Sequence, residues 1–270
     1  MLILITTLGR ATKQKALAQI PESFHDRVRI FTKQSELAEL QANLPATITA
    51  ESLPDDTDGI AQTRQRAIDA IPKGKVWVID DLCVFKKRTI TPERIVYSPL
   101  TEQEFADLYQ RVDALLDSYI QVGISAHNGN NRVLEPLKPI GRAYSTYGLR
   151  TDMMKRADVR FDSMYEQDKE CKFMEDFYIT LDALTKGYPN VIIYDYCFTY
   201  AHNTAGGNST NRTLERHARS AQMLAKRFPG LVKLVQKEGK WGTQEMDSRT
   251  EIQAQWKKAF EQSKRKRSRR

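Results

Sequence analysis

At 270 residues, with 40% hydrophobic and 28% charged content, the chain can bury one sizeable core and leaves little room for two full domains. The formal net charge of +8 and pI of about 9.3 point to a polyanionic partner, nucleic acid or an acidic membrane surface. Six of those charges come from Lys264, Arg265, Lys266, Arg267, Arg269 and Arg270, so the remainder is about +2 (eight less six) and the excess is mostly a tail. Cys83, Cys171 and Cys197 form no CxxC pair and are odd in number, which argues for reduced thiols in a cytoplasmic protein and against a disulfide framework or structural zinc site. The apolar run Leu2 to Ile5 is too short for a signal segment, and no stretch approaches the ~18 apolar residues of a membrane span.

In chain order, MLILITTLGR reads as a buried strand closing on Gly9 and Arg10. A helix is predicted over 13–20, a strand over 28–31, a helix over 35–44, a strand over 47–50 and a helix over 60–71, before the apolar run Val76 to Ile79. This alternation predicts an α/β fold with a mostly parallel sheet flanked by helices. Phe105, Leu108, Val112 and Leu115 recur at spacings of three and four and mark a helix over 102–116, with a short strand over 120–124 behind it. The stretch 127–165, rich in Gly, Asn, Arg and Tyr, reads as loops and short strands over a cleft. A helix over 175–186, a strand over 191–196 and an amphipathic helix beyond Asn211 complete the pattern.

Four groups of residues could carry chemistry. Asp80 and Asp81 follow the strand VWVI, and ligands of open parallel sheets bind beyond the carboxyl ends of strands. Hard cations such as Mg²⁺ or Mn²⁺ take carboxylate oxygens together with substrate phosphates, although an Asp in this place also simply caps a turn. Glu175 and Asp176 open a helix docked by Phe177, Leu181 and Leu184, where acids can serve as a base or merely complement the helix dipole. His202 stands about one turn beyond the strand 191–196, ahead of Gly206 and Gly207, as a metal or phosphate ligand or as a loop hydrogen bonder. His25 and His217 read as surface histidines, and His127 as a loop hydrogen bonder with an acceptor contact as the alternative. Arg212, Arg216 and Arg219 form a stripe at i, i+4 and i+7 that could follow a phosphate backbone, with Lys264 to Arg267 as a non-specific anchor; a solvated face is the plainer reading.

The order of these parts resembles the GT-A glycosyltransferase fold, and with the GGNSTNRT stretch it is similar to the phage TET-associated glycosyltransferases. The likeness spans residues 1–228 and leaves 229–270 as a C-terminal extension ending in a basic, disordered tail. It implies that Asp81, with Asp80, holds Mn²⁺ or Mg²⁺, that His202 joins the metal and diphosphate, and that Arg10 and Arg64 lie near the nucleotide. Asp176, or else Glu175, would be the base of an inverting transfer. The family further implies a UDP-sugar donor, UDP-glucose by default, and 5-hydroxymethylcytosine in DNA as acceptor, presented as a flipped base. A monomer without membrane contact, working in a bacterial host's cytoplasm if phage-encoded, is expected. The acidic motif departs from the family pattern, since Ile79 precedes only two acids and Cys83-Val84 intervene before Phe85. A metal-dependent nuclease, a non-catalytic nucleic-acid-binding module and a transferase with a protein or glycan acceptor are the competing readings.

Overall fold

The computed structural model describes residues 1–200, 213–238 and 248–267. The first half contains β1 (Leu2–Thr6), β2 (Val28–Lys33), α1 (Leu37–Ala42), β3 (Thr49–Leu53), α2 (Gly59–Ala70), β4 (Lys75–Asp80), β5 (Cys83–Ile90), β6 (Ile95–Pro99), α3 (Glu102–Leu115) and β7 (Gln121–Ala126). The second half contains β8 (Leu137–Pro139), β9 (Thr146–Arg150), α4 (Thr151–Arg156), α5 (Ser163–Gln167), α6 (Glu175–Thr185), β10 (Asn190–Tyr200), α7 (Leu214–Arg227), β11 (Val232–Lys237), β12 (Arg249–Ala254) and α8 (Trp256–Arg267).

One large sheet runs in the order β3-β2-β1-β4-β9-β7-β10-β5-β6, with β8 on β10. Pairing is parallel through β3-β2-β1-β4 and again between β7 and β10. Strand β9 lies antiparallel between β4 and β7, so those two point the same way and deliver their carboxyl ends to one edge. The central strands read as unbroken apolar runs because both faces are covered. Leu4, Val76 and Val78 pack on one side with α2 and α6, while Ile3, Ile5, Trp77 and Ile79 pack on the other with α3. Helix α3 starts at a capping box in which Thr101 and Glu104 satisfy each other's backbone amides.

Several elements differ from the sequence expectation. The segment 13–20 makes only a single 3₁₀ turn, Leu17–Gln19, because the Ala16 amide is drawn onto the Asp81 carbonyl at 2.9 Å. The β5–β6 hairpin was not anticipated, since Lys86, Lys87 and Arg88 break the apolar signal of β5, which pairs with β10 on one side and β6 on the other. The stretch 127–165 is more regular than predicted and supplies β8, β9, α4 and α5. Beyond α7, the β11–β12 hairpin and α8 share the core of α6: Trp256 stacks on Phe177 with centroids 5.6 Å apart, and Ile252 and Ala259 are buried in the same cluster. Lys264 to Arg267 continue α8, with the Lys264 ammonium 4.7 Å from the Phe260 ring centroid.

Two glycines set how closely the layers approach. A Cβ on Gly148 in β9 would lie 2.6 Å from Val112 Cγ1 of α3, and one on Gly123 in β7 would lie 2.6 Å from Ile192 Cδ1. Gly148→Ala is therefore expected to cost about 1–3 kcal/mol of stability by overpacking, measured as a lower urea midpoint with an unchanged slope.

Candidate active site

Strand β4 carries Asp80 as its last residue and Asp81 into the following turn, at the sheet edge where β1 ends in Thr6 and is followed by Thr7. The Thr7 hydroxyl donates to Asp81 Oδ2 at 2.9 Å and Arg10 Nη1 to Oδ1 at 3.2 Å. Gly9, in the left-handed region at φ 61°, turns the chain so that Arg10 faces back toward the carboxylate. Burial, opposed by Arg10 and reinforced by the neighbouring Asp80, pushes the Asp81 carboxyl from 3.8 up to about 6.

Arg64 of α2 is 3% exposed and bridges two carboxylates: one Nη donates to Asp80 Oδ1 and the other to Glu175 Oε1. Its guanidinium also lies 5.7 Å from the ring centroid of the buried Tyr147. The Tyr200 hydroxyl, at the end of β10, donates to Asp80 Oδ2 at 3.3 Å. Burial raises the Glu175 carboxyl above its usual range, with Arg64 opposing and Asp176 and Asp80 adding to the rise. The acids at the end of β4 and at the start of α6 thus belong to one electrostatic network joined through Arg64.

Helix α6 begins after Met174, a non-glycine residue held at φ 65° and buried. Such a conformation costs of order 1–3 kcal/mol and clusters at functional sites. It turns the chain abruptly into the helix, so that Glu175 reaches the interior and Asp176 faces Arg142. Arg142 Nε and Nη2 both donate to Asp176 Oδ2, at 2.8 and 2.7 Å, while the guanidinium lies 3.8 Å from the Phe177 centroid and 4.4 Å from that of Tyr144. No described residue bonds Asp176 Oδ1. Just beyond, Ser145 is also held at φ 58°, and its carbonyl accepts from the Asp80 amide at 2.8 Å.

The predicted site residues therefore divide. Asp80, Asp81, Glu175 and Arg10 lie around one sheet edge, and Asp176 adjoins them through Glu175. Arg64, expected near the nucleotide and its phosphates, has both terminal nitrogens on the buried carboxylates of Asp80 and Glu175. His202 and Arg212 lie outside the described residues. Arg216 pairs with Glu170 at 2.6 Å and Arg219 with Asp168 at 2.5 Å, so the stripe is tied to a neighbouring loop where phosphate contacts were expected. His217 is buried against Glu251, with Nε2 3.4 Å from Oε1, and is not the surface histidine expected. Arg142 was missed; its one signal was an Arg between Gly141 and Tyr144 in a stretch rich in Gly and Tyr, which periodicity does not weigh. Among the described residues no three His, Cys, Asp or Glu side chains form a metal-binding group.

No family model matches the sequence. Two curated relatives, each named beta-glucosyl-HMC-alpha-glucosyl-transferase, from Enterobacteria phages T2 and T6, are 24% identical over 216 residues, covering 74% of this chain and 70% of theirs. In structure, the chain is similar to S. aureus TarS 1-349 in complex with UDP-GlcNAc, with a TM-score of 0.51 at 12% identity over 83% of this chain and 66% of that one. It is similar to glucosyl-3-phosphoglycerate synthase of Mycobacterium tuberculosis with Mn²⁺, UDP and phosphoglyceric acid, with a TM-score of 0.50 at 11% identity over 92% of this chain and 88% of that one. The chain is a glycosyltransferase of the GT-A fold. A third likeness, to the mannosyltransferase PcManGT of Pyrobaculum calidifontis with GDP-Man and Mn²⁺, has a TM-score of 0.50 at 10% identity over 83% of this chain and 63% of that one. In this GT-A transferase the network described above sits where the parallel strands end, the edge at which such sheets bind ligands.

Arg64→Ala leaves two buried acids without their shared partner and is expected to cost about 3–5 kcal/mol in urea unfolding, and Arg64→Lys should not restore it because one ammonium lacks the two-pronged reach. Asp81 gives a separate pH signature. Its folded pKa exceeds the unfolded value, so its contribution to stability is fully present below pH 4 and is lost as pH rises through about 6. In chelator-treated protein the loss should amount to at most about 3 kcal/mol, and Asp81→Asn should flatten that part of the stability profile.

Proposed function

We propose that this transferase moves glucose from UDP-glucose onto 5-hydroxymethylcytosine in DNA with a divalent cation at the β4 edge. The observation that carries the reading is the convergence of acids from β4 and α6 on one buried arginine. The relatives' name adds the substrate class, and the nucleotide and Mn²⁺ in the similar structures add the donor class.

The donor set fits a hard cation. Asp81 and Asp80 are adjacent buried oxygen donors, burial holds the Asp81 carboxyl above its usual range, and Mn²⁺ or Mg²⁺ beside it would favour the ionised form. Asp81, assisted by Asp80 and His202, would hold the ion, which supplies charge stabilisation for the departing diphosphate. The remaining work falls to the chain. Arg64 fixes Asp80 and Glu175 in place, and Arg142 holds one oxygen of Asp176 so that Oδ1 is left to face the acceptor. In an inverting transfer Oδ1 takes the acceptor hydroxyl proton, the hydroxyl oxygen bonds the anomeric carbon, and the sugar–phosphate bond breaks with its electron pair leaving on the diphosphate.

A second stereochemical reading has one specific support. The phage relatives are named as alpha-glucosyl transferases, and an α product from an α-linked donor retains configuration. Asp176 would then orient the acceptor or the sugar. The relatives' name also specifies an acceptor that already bears a β-glucosyl group, so both the plain and the glucosylated base are candidates.

Incubation with UDP-glucose, Mn²⁺ and an oligonucleotide containing 5-hydroxymethylcytosine, plain or β-glucosylated, should add one hexose mass per modified base. Strand shortening without donor would instead indicate a nuclease. Asp176→Asn should lower kcat by about 10²–10⁴-fold if the residue is the base. The anomeric coupling constant of the product, measured by NMR, then separates inversion from retention.

A further inference from the structure

A second concave site lies along the far flank of the sheet. Its volume is about 490 Å³, and it is lined by Ile95, Tyr97, His127, Asn128, Gly129 and Asn131. Strand β7 delivers His127 from the sheet edge that bears Asp81, because β7 and β4 run in the same direction. The following loop then folds back along β5 and β6.

That loop is locked from inside. Arg88, 4% exposed, donates to the carbonyls of Asn130, Val133, Leu134 and Glu135. Asn130, fully buried, donates from Nδ2 to the Tyr194 carbonyl at 2.9 Å and accepts from the Tyr97 hydroxyl at 2.9 Å. The His127 amide is held by the Phe198 carbonyl at 2.8 Å. The outward-facing side chains are thereby pre-organised, which lowers the ordering cost of binding. Tyr97 and His127 meet edge to face, with centroids 4.5 Å apart.

The surroundings favour an anionic ligand with flat apolar parts. Lys86, Arg94, Arg132 and Lys138 are exposed or half-buried on these segments, against Glu93 and Glu135 alone, while Lys87 turns to the opposite face over the Tyr196 ring. Without its basic tail the chain is only about +2, and these groups give the flank a net positive charge of its own. Ile90 and Leu134, exposed by 51% and 63%, border the same flank. Aromatic rings, amides and a cationic rim together match a stacked nucleobase with its phosphates.

We infer that this groove binds a nucleobase of the acceptor strand next to the base being modified, with Tyr97 and His127 as the stacking surface and Asn128 and Asn131 as amide contacts. The inference rests on the reading of DNA as acceptor. It gives the strand a track separate from the donor site.

The test uses the full chain and a fluorescein-labelled single-stranded oligonucleotide containing 5-hydroxymethylcytosine, with binding read by anisotropy in the absence of any sugar donor. Tyr97→Ala and His127→Ala should each weaken binding about 10-fold, and Tyr97→Phe, which keeps the ring, should stay within about twofold of wild type. Co-stabilisation by UDP and Mn²⁺ serves as the folding control and should be unchanged in all three. Loss of oligonucleotide affinity in the alanine variants supports the groove whether or not sugar is transferred, so failure of the transfer assay alone counts against the activity and not against this site. Unchanged oligonucleotide affinity in both alanine variants, with the fold intact, overturns it.

Discussion

The buried Arg64 guanidinium is the constraint on which the site depends. A charge with 3% exposure is tolerable only when partnered, and its two partners come from residues 80 and 175, on different elements. Helix α2, strand β4 and helix α6 must all be in register before the three side chains can meet. The same requirement brings Asp81 to Thr7 and Arg10, and sets Asp176, as buried as Glu175, against Arg142. The acids available for chemistry are thus positioned by neighbours that do none.

Around that clamp the chain accepts local strain. Met174 and Ser145 both occupy the left-handed region without being glycine, and each directly adjoins an acid of the network: Met174 precedes Glu175, and the Ser145 carbonyl holds the Asp80 amide. The packing that over-determines these conformations is dense, with Tyr147, Phe173 and Phe177 in one continuous core. Strain of this kind is held by burial, which also raises the carboxyls of Glu175 and Asp81 above their usual range. Burial, strain and a cluster of acids coincide at one sheet edge, where a divalent cation would offset the charge of the acids and of a bound diphosphate.

Much of this was legible because it follows from local rules. An apolar run ending in Asp80-Asp81 marks a buried parallel strand delivering acids to its carboxyl end, and Glu175-Asp176 before a Phe-Leu-Leu stripe marks a helix start. The roles within each pair were not legible. Both acids of each pair are buried, and which of them Arg64 takes depends on a contact spanning 111 positions to Glu175 that nothing local announces. Arg142 escaped for the same reason, lying in a stretch without periodicity. The β5–β6 hairpin, and with it the groove at Tyr97 and His127, was hidden by the charges of β5. The arginine stripe of α7 was real as a pattern, but Arg216 and Arg219 have partners in Glu170 and Asp168, which only the tertiary structure brings near.

The central claim is that the β4 and α6 acids form one site for a nucleoside diphosphate and a divalent cation together. Its most direct measurement is a calorimetric titration of UDP into the protein with and without Mn²⁺, repeated for Asp81→Ala. Mutual dependence is predicted: UDP affinity should rise at least about tenfold when Mn²⁺ is present, with the gain abolished in the variant. Equal UDP affinity with and without the ion, or a gain that persists in Asp81→Ala, would contradict it.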